Sequence, residues 1–123
     1  MPQYPQGIFQ SLQWLMKQFK ILALQKQTTY SISTTSAAYT IVGKGVYEIS
    51  TPSASNAITF PDPTLMNGQT ISIINTHAST GQAVSTTNAP YSKGTSTTIT
   101  TIAAGTYYQF ISINGKWRGG VLS

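Results

Sequence analysis

From Tyr39 onward the chain alternates short runs of β-branched and aromatic residues with turn signals, and this pattern constrains its fold more than any other feature. The runs are Tyr39–Val42, Val46–Ser50, Ala57–Phe60, Thr70–Asn75, Gln82–Thr86, Thr97–Ile102 and Thr106–Ile113, with a last one opening at Lys116. Gly43-Lys44-Gly45, Pro61-Asp62-Pro63, Asn67-Gly68 and Asn114-Gly115 punctuate them. Such residues suit a pleated, half-buried surface, and Gly, Pro and Asn end it. Many short strands closed by tight turns imply a sandwich or small barrel. The Gly-x-Gly at 43–45 predicts a hairpin between its flanking runs, and Asn114-Gly115 predicts a type I′ hairpin turn. In Thr70–Asn75 apolar and polar residues alternate until Ile74, which predicts one buried and one wetter face.

The segment before this region has a different texture. Ile8, Leu12, Leu15, Phe19 and Leu22 fall at heptad a/d spacing, and residues 8–27 hold no Gly or Pro. The spacing predicts one α-helix of about five turns. Trp14, Met16, Ile21, Ala23 and Leu24 widen its apolar surface beyond a narrow stripe. A helix of this kind packs on its own domain, or on copies of itself or a larger partner; a cationic interfacial helix on a membrane is a third reading. The expected fold is therefore mainly β, an antiparallel β-sandwich or small barrel preceded by one N-terminal α-helix. The expected organisation is a leader and anchoring or oligomerisation helix over 1–27, a Thr/Ser-rich connector over 28–38 that holds a short strand near Tyr30–Ser33, and a β-rich domain over 39–123.

Composition excludes several functions. Charged residues make up 7% of the chain, against roughly 25% in an average soluble domain. The polar surface must come from Ser, Thr, Asn and Gln, and the abundant Ile, Val, Tyr and Phe argue against disorder. The net charge is +5, but Lys17, Lys20, Lys26, Lys44, Lys93, Lys116 and Arg118 form no run, so nucleic acid is not an expected partner. With no cysteine there is no disulfide framework, thiolate metal site or cysteine nucleophile. The first residues lack a signal peptide's basic start, and Gln and Lys interrupt the apolar stretch that follows, so no transmembrane helix is expected.

Catalytic groups are equally sparse. Glu48 and Asp62 are the only carboxylates and His77 the only histidine. Glu48 reads as an outward strand residue, Asp62 as a turn residue between prolines, and His77 as a loop histidine. No nucleophile elbow or phosphate loop accompanies them. The expectation is a protein that is not an enzyme, with no catalytic residues, cofactor or metal. Aromatic side chains offer a different activity, since exposed rings stack on sugars. Tyr91, Tyr107, Tyr108 and Trp117 are the candidates, with Tyr91 and Trp117 the expected glycan contacts.

Two stretches resemble a known family. Ile58-Thr59-Phe60-Pro61-Asp62, followed by Asn67-Gly68-Gln69-Thr70-Ile71-Ser72-Ile73-Ile74-Asn75, is similar to a strand, corner and strand of phage tail-fibre, head-fibre and spike domains. Ala104-Gly105-Thr106-Tyr107-Tyr108-Gln109-Phe110-Ile111-Ser112-Ile113-Asn114-Gly115-Lys116-Trp117 resembles that family's closing hairpin. With the Tyr39–Ile49 region, the resemblance spans roughly residues 39–122. It implies a virion structural protein with no catalytic residues, commonly a homotrimer, whose N-terminal part anchors it to capsid or tail proteins. The chain has one β-unit and no repeated shaft, so a short fibre, a spike and a capsid decoration all remain open. A host-surface adhesin recognising glycans through exposed Tyr and Trp is the alternative. Ile8, Leu12, Leu15, Phe19 and Leu22 are the expected anchoring and oligomerisation residues.

Overall fold

A computed structural model describes residues 11–17 and 28–122. Residues 11–17 are helical, inside the expected helix; its remaining residues lie outside the described ones. The strands are β1 (Thr29–Ser33), β2 (Tyr39–Thr40), β3 (Gly45–Thr51), β4 (Ile58–Thr59), β5 (Thr70–Asn75), β6 (Gln82–Ala83), β7 (Tyr91–Ser92), β8 (Thr101–Ile102), β9 (Tyr107–Ile113) and β10 (Lys116–Val121). The molecule is mainly β, as expected.

Six strands form the principal sheet in the order β1-β3-β5-β9-β10-β7. Two small ladders, β2 with β4 and β6 with β8, are joined by a bridge between Ile58 and Val84 and cover one face of it. Core residues come from both layers. Tyr47, Ile49, Ile71, Ile73, Phe110 and Trp117 rise from the sheet to meet Ile41, Ile58, Phe60, Val84 and Ile102. The alternating burial of β9 follows directly, with Tyr108, Phe110 and Ser112 inward and Gln109, Ile111 and Ile113 outward.

The pairing corrects two expectations. The principal sheet is mixed: β1–β3, β3–β5 and β10–β7 are parallel, and only β5–β9 and β9–β10 are antiparallel. The hairpin expected around Gly43-Lys44-Gly45 does not form, because β2 pairs with β4 in the covering layer while β3 pairs with β1 and β5. Parallel neighbours need a crossover connection, for which a helix is the usual solution. Here β2 and β4, lying in the opposite layer, serve that purpose over residues 34–44 and 52–69. Gly45 also has a packing role rather than a turn role: a Cβ there would stand 2.7 Å from the Thr28 carbonyl oxygen and 3.0 Å from the Tyr30 ring. That contact lets β1 lie beside β3. The strand expected within the connector is thus part of the principal sheet.

The expected wetter face of β5 is present in exposed Thr70 and half-buried Ile74, with Ser72 the exception. Ile71, Ser72, Ile73 and Asn75 are all buried. β5 is flanked on both sides, and Ser72 sits on the outer face between Val46 and Gln109, whose longer side chains shade it. The closing hairpin is as read: Asn114 and Gly115 have φ of 52° and 73°, the two positive angles of a type I′ turn.

Polar side chains fasten the loops to this frame. Gln82 is fully buried: its Oε1 accepts from Thr34 Oγ1 at 2.5 Å and the Ser53 N–H at 3.1 Å, while its Nε2 donates to the Asn56 and Ala83 carbonyls. The corner at Phe60–Pro63 leaves the ladders, and its carbonyls need donors from elsewhere. Asn88 Nδ2 serves Phe60, Trp117 Nε1 serves Pro61 at 2.8 Å, and Ser112 Oγ serves Pro63 at 2.6 Å. The Phe-Pro-Asp corner and the Asn-Gly-x-Trp hairpin singled out in the sequence therefore touch. Tyr47 is buried against a stacked Tyr30, with ring centroids 4.5 Å apart, and its hydroxyl donates to the Gly43 carbonyl at 2.6 Å. Burial is the main reason its pKa is pushed up to about 12. Among the described residues, no buried side-chain N or O atom lacks a hydrogen-bond partner.

Candidate interaction site

Asp62, His77 and Glu48 lie where the sequence reading had them, in two turns and on an outer strand face. Asp62 caps the 3-10 turn Pro63–Leu65, its Oδ1 accepting from Thr64 Oγ1 at 2.7 Å and the Thr64 N–H at 3.0 Å. Those bonds, the hydroxyl's first, hold the Asp62 carboxyl below the ordinary range. His77 Nδ1 accepts the Ser79 and Thr80 N–H groups and closes its own turn. Glu48 is exposed on the outer face of β3. Among the described residues, no cluster of three His, Cys, Asp or Glu side chains comes together to hold a metal ion.

Trp117 is not an available sugar platform, which corrects that expectation. It is 1% exposed, donates its indole N–H inward to Pro61 and packs against Phe60 at a centroid distance of 6.1 Å. Strand alternation places it on the core face of β10, between outward-facing Lys116 and Arg118. Tyr108 is likewise buried.

Tyr91 remains half-exposed, and a cationic patch is built around it. Parallel pairing sets Tyr91 beside Arg118. Lys116 Nζ lies 5.0 Å and Arg118 Cζ 5.4 Å from the centre of the Tyr91 ring, both within cation–π range. Arg118 is held in place: its Nη1 donates to the carbonyls of Lys93 and Thr95, each at 3.0 Å. Lys93 has φ of 48°, an uncommon angle for a residue with a side chain, and its N–H donates to the Gly119 carbonyl at 2.8 Å. Its aliphatic stem runs beside Gly120, where a Cβ would stand 3.6 Å from Lys93 Cε. Beside the patch is a cleft of about 270 Å³ whose lining includes Thr86, Asn88, Tyr91, Thr98 and Lys116. Sequence reading scattered these cations along the chain. The available signal was the period of two that puts Lys116, Arg118 and Gly120 on one strand face; the approach of Lys93 depends on tertiary pairing.

A second exposed feature is apolar. On the 11–17 helix, Leu12, Trp14, Leu15 and Met16 are 53, 63, 45 and 69% exposed. Of the expected anchoring residues, Leu12 and Leu15 are thus presented to the surroundings, whereas Ile8, Phe19 and Leu22 lie outside the described residues. No protein-family model, curated protein or solved structure matches this chain.

Proposed function

We propose that this chain is a non-catalytic structural module of a bacteriophage particle, a short trimeric fibre, spike or capsid decoration held in place by its N-terminal helix. The observation that carries this reading is the contrast between two parts of the chain. The β-body satisfies itself, with a closed core and paired buried polar groups. The helix leaves Leu12, Trp14, Leu15 and Met16 uncovered. An apolar helical surface of this kind is stable when buried, each large side chain contributing about 1.5–3 kcal/mol. Copies of the same helix, or a capsid or tail protein, supply that cover. The seating of the Phe60–Pro63 corner on Ser112 and Trp117 supports the fibre-like reading of the β-body. The positions of Asp62, His77 and Glu48 support a structural role over a catalytic one.

Mass spectrometry of density-purified particles tests the assignment. Peptides of the chain are expected in intact particles, at a copy number consistent with trimers. Recovery of the chain only from the soluble lysate would overturn the reading.

A further inference from the structure

We infer that the patch formed by Tyr91, Lys93, Lys116 and Arg118 binds an acidic saccharide, a sugar chain bearing carboxylate or phosphate groups. The inference does not rest on the trimer or on the virion assignment, since all four residues belong to one β-body.

Charge comes first. The described β-body has four cationic side chains besides His77, namely Lys44, Lys93, Lys116 and Arg118. Three of them converge here although the chain is poor in charge. Among the described residues, none of the three forms an ion pair with Glu48 or Asp62. Glu48 is on β3, separated from β10 by β5 and β9, about 14 Å at the usual strand spacing. Asp62 directs its Oδ1 to Thr64, at the cap of its own 3-10 turn.

Organisation comes second. Arg118 is locked by two backbone carbonyls through Nη1 alone, which leaves its other guanidinium nitrogens to meet an anion without a further loss of side-chain freedom. Lys116 is steered by the same Tyr91 ring. An oxyanion meeting these groups makes charge-assisted hydrogen bonds, stronger than neutral ones.

The adjoining cleft indicates a sugar rather than another anion. Thr86 and Thr98 line it with hydroxyl groups beside Pro63 and Ala89, and Asn88 adds its amide oxygen, its Nδ2 being given to the Phe60 carbonyl; hydroxyls and an apolar wall match a saccharide. Nucleic acid fits less well. Its binding depends on neutralising many phosphates along a groove and on open aromatic faces for bases. This patch has three cations, and two of them already lie against its aromatic ring.

The experiment is an NMR titration of the full chain with four probes: sialyllactose, mannose 6-phosphate, lactose and a short oligothymidylate. At least one acidic saccharide is expected to shift amides at 91–95 and 116–120, and lactose to shift none. The preferred arm tells whether the anion is a carboxylate or a phosphate. The double variant Lys93→Gln/Lys116→Gln, both side chains being exposed, is expected to weaken that binding by about tenfold or more with an unchanged melting temperature. Failure of both acidic saccharides, equal binding of lactose, tighter binding of oligothymidylate, or full binding by the folded double variant would each overturn the proposal.

Discussion

Gly119→Ala is expected to destabilise the β-body by about 3 kcal/mol or more. Gly119 faces Phe110 across the β9–β10 ladder and points toward the core. A Cβ at this position would overlap the Gln109 carbonyl oxygen and stand 2.8 Å from Phe110 Cα. These are backbone atoms of the neighbouring strand and cannot rotate away, so the hairpin must part. Overpacking a core ordinarily costs about 1–3 kcal/mol, and a backbone collision belongs at or above the top of that range. Domains of this kind have about 5–15 kcal/mol in total. Gly120→Ala is the matched control: its Cβ meets only Lys93 side-chain atoms, at 3.6 and 3.7 Å, and a change within about 0.5 kcal/mol is expected. Urea denaturation of both variants gives the comparison. Equal stabilities would refute the close approach at Gly119.

Trp117→Ala is expected to lose about 3–5 kcal/mol, the usual cost of deleting a buried Trp. The side chain joins three parts of the molecule. It extends the aromatic cluster of Phe60, Phe110 and Tyr108, and its indole N–H satisfies the Pro61 carbonyl. Trp117→Phe keeps much of the ring volume but leaves that carbonyl without its donor, so a loss of about 1–3 kcal/mol is expected. The same urea measurement separates the two roles. A Trp117→Ala variant as stable as the parent would show that the indole is a surface group, as a glycan-stacking role requires.

These two residues show what was legible in the sequence. The strand locations were readable because each run is short, β-branched or aromatic, and bounded by Gly, Pro or Asn. The Asn114-Gly115 turn was readable because two positive φ angles demand those residues. Strand direction was not. Gly43-Lys44-Gly45 has the composition of a hairpin turn, yet Gly45 is there to admit Thr28 and Tyr30. The parallel order of β1, β3 and β5 depends on crossings through a second layer, which local pattern does not encode. Trp117 illustrates a different gap. Sequence placed it on a strand but not on a face, and a Trp between Lys and Arg reads as exposed until the register is known. Likewise Lys93 meets Lys116 and Arg118 only through the pairing of β7 with β10. Leu12 and Leu15 were singled out by heptad spacing alone, since that signal is local and periodic, but spacing does not say whether the chain's own core covers them.

Sedimentation equilibrium of the full chain, beside a Leu12→Glu/Leu15→Glu variant, tests most directly whether this module works by assembling through its helix. The account predicts a trimer for the parent chain. It predicts a monomer for the variant, with the β-body's melting temperature and circular dichroism retained, because those two side chains are exposed in the single chain. A parent chain that sediments as a clean monomer, or a variant that remains trimeric, would contradict it.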